Sequence, residues 1–224
     1  MSFADHNVCV KVTPDVVEWF HEACRQLSRI DTYQWTGKTL AVALQAIGIQ
    51  KVGADLIMKS VVPNVVRVET IIPHGTKMVG SGDFMSRYMY DDKLFRYEKQ
   101  FFEFGKNRHQ LERNFIEIAS RLILKPLYPS HVPTLYEYGV LHGKFYTITS
   151  FEKGSLPTRS EMCEFRESAD MMLSVLNGYG IEVSSIGYER ESCVVGDNGN
   201  IVILGFNTNR FLTMDEKDTV IACS

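Results

Sequence analysis

An α+β fold is predicted for this chain of 224 residues on three observations. Apolar stripes at helical spacing occur near the start, in the middle and in the last third of the sequence. Between them lie short β-branched and aromatic runs joined by Gly- and Asn-rich turns, the pattern of antiparallel hairpins. The composition, 45% apolar and 23% charged, is that of an ordinary globular protein, long enough for one domain or for one domain plus an extension.

Residues 13–30 read as the first helix. Thr13 suits the N-cap, Pro14 the first helical position, and Asp15 meets the positive end of the dipole. Val16, Phe20, Cys24 and Leu27 then recur at intervals of four, four and three, which makes one apolar stripe. Trp19 and Trp35 read as packing anchors, and His21 as a residue of the exposed polar face. A second helix is expected over residues 38–47, with Leu40, Ala43, Leu44 and Ile47 turned inward. Over residues 51–72 the apolar pairs, interrupted by Pro63-Asn64, fit two short strands or a helix end followed by a strand. Pro73-His74-Gly75 is a turn, so residues 1–70 are expected to form an N-terminal helical extension without a chemical motif.

The next stretch, KMVGSGDF at residues 77–84, holds Gly80 and Gly82 before Phe84. Paired glycines let backbone N–H groups approach phosphate oxygens, although such pairs also mark many β-turns. A strand is expected at Lys93-Leu94-Phe95-Arg96-Tyr97, and a helix over residues 107–124 with Leu111, Phe115, Ile118 and Leu122 inward. On that helix Glu112 and Glu117 read, by pattern alone, as solvated charges of the polar face. Strands over residues 134–138 and 145–149 flank a His-Gly-Lys turn. Thr158 and Glu161 form a capping box for a helix through Met162, Phe165, Ala169, Met172, Leu173 and Leu176 that stops at Gly178. Residues 193–195 and 201–204 make a hairpin around Gly196-Asp197-Asn198-Gly199-Asn200, and residues 215–218 start a short terminal helix.

The order of these parts resembles the protein kinases. Their catalytic loop, H-x-D-x-x-x-x-N, is followed by a strand, a G-N turn, a second strand and D-F-G; residues 185–206 lie over that template without a gap. Ser185 then stands where the catalytic-loop His belongs, Gly187 where the catalytic Asp belongs, Ser192 at the metal-binding Asn and Gly205 at the magnesium-holding Asp. The glycine stretch with its following Tyr88 looks like the glycine loop of the early Ser/Thr protein kinases of short-tailed bacteriophages. Under this resemblance Arg96 takes the place of the phosphate-binding Lys, with Lys93 or Lys99 available in a shifted register, and Glu112 or Glu117 is its helix partner. Residues 151–156 resemble the interlobe hinge. The resemblance covers roughly residues 76–210 and implies a compact two-lobed kinase-like fold. It divides the chain into the N-terminal extension over 1–70, an N-lobe over 71–152, and a hinge with a truncated C-lobe over 153–224.

What the resemblance implies about function is an emptied site. Phosphoryl transfer depends on positioning and charge neutralisation. Gly205 and Ser192 leave magnesium without its usual ligands, and Gly187 supplies no base. Gly80, Gly82, Phe84, Arg96 and Glu117 then line a vestigial nucleotide cleft, with no cofactor or metal expected. A pseudokinase that binds and modulates a host protein during phage takeover is the implied role. The competing expectation is an atypical ATP- and magnesium-dependent Ser/Thr kinase or other transferase recruiting Glu189 or Glu191; a third is a folding or assembly factor kinase-like by descent only.

Other classes find little support. A net charge of −3 gives no electrostatic reason to expect nucleic acid or a membrane surface as partner. The five cysteines are scattered without CxxC spacing, as free thiols of a reducing cytoplasm would be, and the six histidines show no metal-ligand spacing. No apolar run approaches the roughly 18 residues of a membrane span, and no signal segment opens the chain, so a cytoplasmic location is expected.

Overall fold

The computed structural model describes residues 7–28, 62–63, 65–67, 76–81, 85–99, 108–182, 192–206 and 210–211. The helix expected over 38–47, the turn at 73–75, the terminal helix at 215–218 and Trp35 lie outside these residues. Mixed helix and antiparallel sheet is the observed class, as expected.

The largest element is a seven-stranded sheet. In chain order its strands are β1 (Val8–Lys11), β2 (Val65–Arg67), β3 (Lys77–Ser81), β4 (Met85–Tyr90), β5 (Lys93–Glu98), β6 (Leu135–Leu141) and β7 (Lys144–Ser150). In space they run β2-β1-β6-β7-β5-β4-β3, every neighbouring pair antiparallel. Cross-strand partners share a face. Val10, Tyr138, Thr147, Arg96 and Arg87 therefore follow one another across one face, and Lys11, Glu137, Ile148, Phe95 and Tyr88 across the other.

Two helices cover the first face, α1 (Pro14–Leu27) and α2 (Arg108–Leu124). Phe20 of α1 stacks on Phe115 of α2 at 5.0 Å and meets Tyr138 of β6 edge-on at 6.0 Å, so three elements close one core. Trp19 is buried there, as an anchor should be. The opposite face carries a smaller cluster in which Phe95 stacks on Tyr97 and Tyr146.

The sheet corrects the expectation of a helical extension before residue 70. β1 lies inside the sheet, between β2 and β6, and α1 packs on the same sheet, so residues 8–28 belong to the body that holds Arg96. Four residues are too few to show alternation beside the strong stripe of α1. His21 is also corrected: it is half-buried, with Nδ1 2.8 Å from the hydroxyl of Tyr179, and burial lowers its pKa from the ordinary value.

The helix α3 (Arg159–Gly178) begins at the expected capping box. Glu161 N–H donates to Thr158 Oγ1 at 3.2 Å, and Thr158 N–H donates to Glu161 Oε2 at 2.6 Å. Its buried face holds Phe165, Ala169, Met172 and Leu176, four of the six residues expected there; Met162 and Leu173 are partly buried beside them. The remaining strands are β8 (Gly154–Ser155), β9 (Ile181–Glu182), β10 (Cys193–Gly196), β11 (Ile201–Ile203) and β12 (Arg210–Phe211). β10 and β11 form the expected hairpin, pairing Cys193 with Ile203 and Val195 with Ile201. Gly199 at its turn has φ +78°, which an L side chain rarely adopts. β8 joins the hairpin and β12 pairs with β9.

Candidate functional site

Alternation along β5 places Leu94, Arg96 and Glu98 on the helix-covered face. On α2 the residues Asn114, Glu117 and Arg121 recur at intervals of three and four, a second stripe beside the apolar one. Polarity alone assigns that stripe to solvent. Instead it is turned toward β5 and sealed, with Asn114 2%, Glu117 4% and Arg121 1% exposed.

Arg96 Nη1 donates to Glu117 Oε1. Arg121 Nη2 donates to the same oxygen at 3.1 Å and to the carbonyl of Leu204 at 2.6 Å, and Arg96 Nη1 lies 3.5 Å from that carbonyl. The guanidinium of Arg121 also stands 5.5 Å from the centroid of the Phe206 ring. Burial works against the ionised Glu117, but the flanking guanidiniums outweigh it and hold its pKa below the usual carboxylate value. Burial lowers Arg121 from its ordinary value. Arg96 Nε, Arg121 Nε and Arg121 Nη1 are buried without hydrogen-bond partners.

The expected site residues fall out as follows. Glu117, and not Glu112, is the helix carboxylate that meets Arg96. Lys93 lies on the other sheet face with Nζ 5.5 Å from the Tyr90 and Tyr136 ring centroids, and Lys99 is exposed beyond the end of β5. Gly80 lies in strand β3 rather than in a turn, next to a register shift between Met78 and Gly80, and among the described residues an added Cβ would meet only Arg87 Nη1 at 3.9 Å. Ser192 accepts from Leu204 N–H at 2.8 Å, which brings the Ser192 backbone to the residue beside Gly205. Gly82, Phe84, Ser185, Gly187, Glu189 and Glu191 lie outside the described residues. Arg121 was not among the expected residues; the Glu–Arg spacing of four on one helix is the signal that points to it.

Glu98, 1% exposed, lies 3.4 Å from Arg113 Nη2, and burial pushes its carboxyl up to about 7 against the opposing pull of Arg113. A carboxyl raised in the folded state binds its proton more tightly there than when unfolded. Its contribution to stability therefore grows as pH falls from above about 7 toward 4.5 and is lost as pH rises. Between pH 8 and 5, wild type is expected to gain on the order of 2–3 kcal/mol relative to Glu98→Gln in urea unfolding. Parallel pH profiles for the two proteins would show that Glu98 titrates normally.

A separate cavity of about 460 Å³ is lined by the β4–β5 turn, the hinge-like residues and the hairpin turn. Among the described residues that line it, Asp91, Asp92, Glu152 and Asp197 outnumber the one cation, Lys153, a balance unfavourable to a polyphosphate. Among the described residues no group of three or more His, Cys, Asp or Glu side chains could hold a metal, and no helix is long and apolar enough to cross a membrane. Cys9, Cys24, Cys163 and Cys193 are free thiols, and Cys223 lies outside the described residues.

No family model matches the chain, and no curated protein matches it. Among solved structures it is similar to WbdD over 63% of its length, at 12% identity and a TM-score of 0.41. It is also similar to WbdD co-crystallised with a kinase inhibitor, over 64% of its length at 13% identity and a TM-score of 0.39. The chain spans 34% of each of those two chains.

Proposed function

We propose that this chain is a catalytically inactive, kinase-like bacteriophage protein that acts by binding a host protein. Support for the kinase-like frame comes from three parts meeting in the expected order: a strand cation on β5, its helix carboxylate on α2, and the base of the β10–β11 hairpin beside both. The inactive assignment is carried by one observation: Ser192 and Gly205 stand at the hairpin base at the positions from which magnesium would be held. The Arg96–Glu117 pair is an arrangement that a working kinase also has, so it supports the frame and does not bear on turnover. Arg96 is 3% exposed, which leaves its guanidinium little access to a triphosphate. The host context rests on the phage-like glycine stretch at residues 77–88.

Incubation with radiolabelled ATP, magnesium or manganese, and generic acceptor proteins is expected to transfer no label to the chain or to any acceptor. Transfer above a heat-inactivated control would overturn the assignment in favour of an atypical kinase, with Glu189 and Glu191 as the first residues to replace. Binding is tested by co-purification from host cells, where a stoichiometric host protein is expected.

A further inference from the structure

We propose that Arg121 is a positioning residue that acts as a resident cation, holding Leu204, Gly205 and Phe206 in place with no nucleotide or metal. Three buried ionic side chains meet here, two guanidiniums and one carboxylate, so the cluster carries an excess positive charge. What residues 204–206 present to that excess is negative on both counts. The Leu204 carbonyl oxygen accepts from Arg121 Nη2 at 2.6 Å, and the Phe206 ring turns its face toward the guanidinium at 5.5 Å. Arg121 Nη1 and Nε are buried without other partners, so the charge has few other outlets among the described residues. Leu204 N–H is meanwhile tied to the Ser192 carbonyl at 2.8 Å, leaving the segment gripped from both sides.

The clamp rests on the kinase-like reading only for its meaning, because Gly205 is then the emptied metal position and the fixed cation of Arg121 does the ordering that a bound ion would otherwise do. Its geometry stands without that reading.

Hydrogen exchange of the full-length chain tests it. In wild type the amides of residues 203–206 are expected to exchange equally slowly with and without ATP and magnesium. Arg121→Met keeps the length of the side chain and removes its charge. It is expected to speed exchange there on the order of ten- to a hundredfold, with β6 and β7 unchanged. Arg121→Lys restores a charge without the fork and should fall between the two. Met serving as well as Arg would reduce the role to packing and overturn the proposal. So would slower wild-type exchange at these amides when nucleotide is added, a comparison that decides the matter even if Arg121→Met fails to fold. Label transfer with the clamp intact would refute the inactive assignment and leave the clamp standing.

Discussion

Glu117→Gln is expected to destabilise the fold by about 3–5 kcal/mol in urea unfolding, because it strips the carboxylate from two buried guanidiniums. The side chain barely changes in volume, so the loss is electrostatic: Arg96 and Arg121 are left 3% and 1% exposed with carbonyl oxygen and each other's charge in place of an anion. A triple replacement, Arg96→Met with Glu117→Leu and Arg121→Met, separates this from packing. Removing all three charges together should recover most of the lost stability, since an apolar cluster of similar volume has no ions to desolvate. A cost below about 1 kcal/mol for Glu117→Gln would mean that the trio is hydrated and not sealed.

Gly139→Ala is expected to cost about 2–3 kcal/mol and to release β1 from the sheet. A Cβ at this position would lie 1.8 Å from the Val8 carbonyl oxygen and 2.8 Å from its carbon. Both are backbone atoms of the neighbouring strand, so no side-chain rotation relieves the clash. Faster proteolysis around residues 7–12 should accompany the loss, reporting detachment of β1 rather than uniform weakening. Gly80→Ala is the control: among the described residues its Cβ would meet only the flexible end of Arg87 at 3.9 Å, so a change within about 0.5 kcal/mol is expected. Equal costs at the two glycines would contradict the tight β1–β6 approach.

The parts legible in the sequence are those with a long or unambiguous local signal. The stripe of Val16, Phe20, Cys24 and Leu27, the capping box at Thr158 and the Asn-Gly turn of β10–β11 each specify structure from neighbours in the chain. β1 escaped because its role is to pair with Gly139 and Val66, partners far away in sequence. Gly80 sits at a register shift in β3, an irregularity of pairing with β4 that local sequence does not signal.

At the site, the pairing of Arg96 with a glutamate of the following helix is what the resemblance implies, with Glu112 and Glu117 both open; the burial of that pair and its third member, Arg121, are not. Hydrophobic periodicity treats charge as a mark of solvent. Glu117 and Arg121 are buried because each satisfies the other and both meet an element from the far end of the chain, Leu204. The spacing of four between them was visible; the carbonyl that completes the cluster was not.

Thermal unfolding with and without saturating ATP and magnesium tests most directly whether the buried Arg96–Glu117 pair is closed to nucleotide. The melting temperature is expected to stay within about 1 °C, because a ligand that does not bind the folded state cannot stabilise it. A rise of several degrees that disappears in Arg96→Met would contradict the account, placing a working nucleotide site where a sealed ion pair is described.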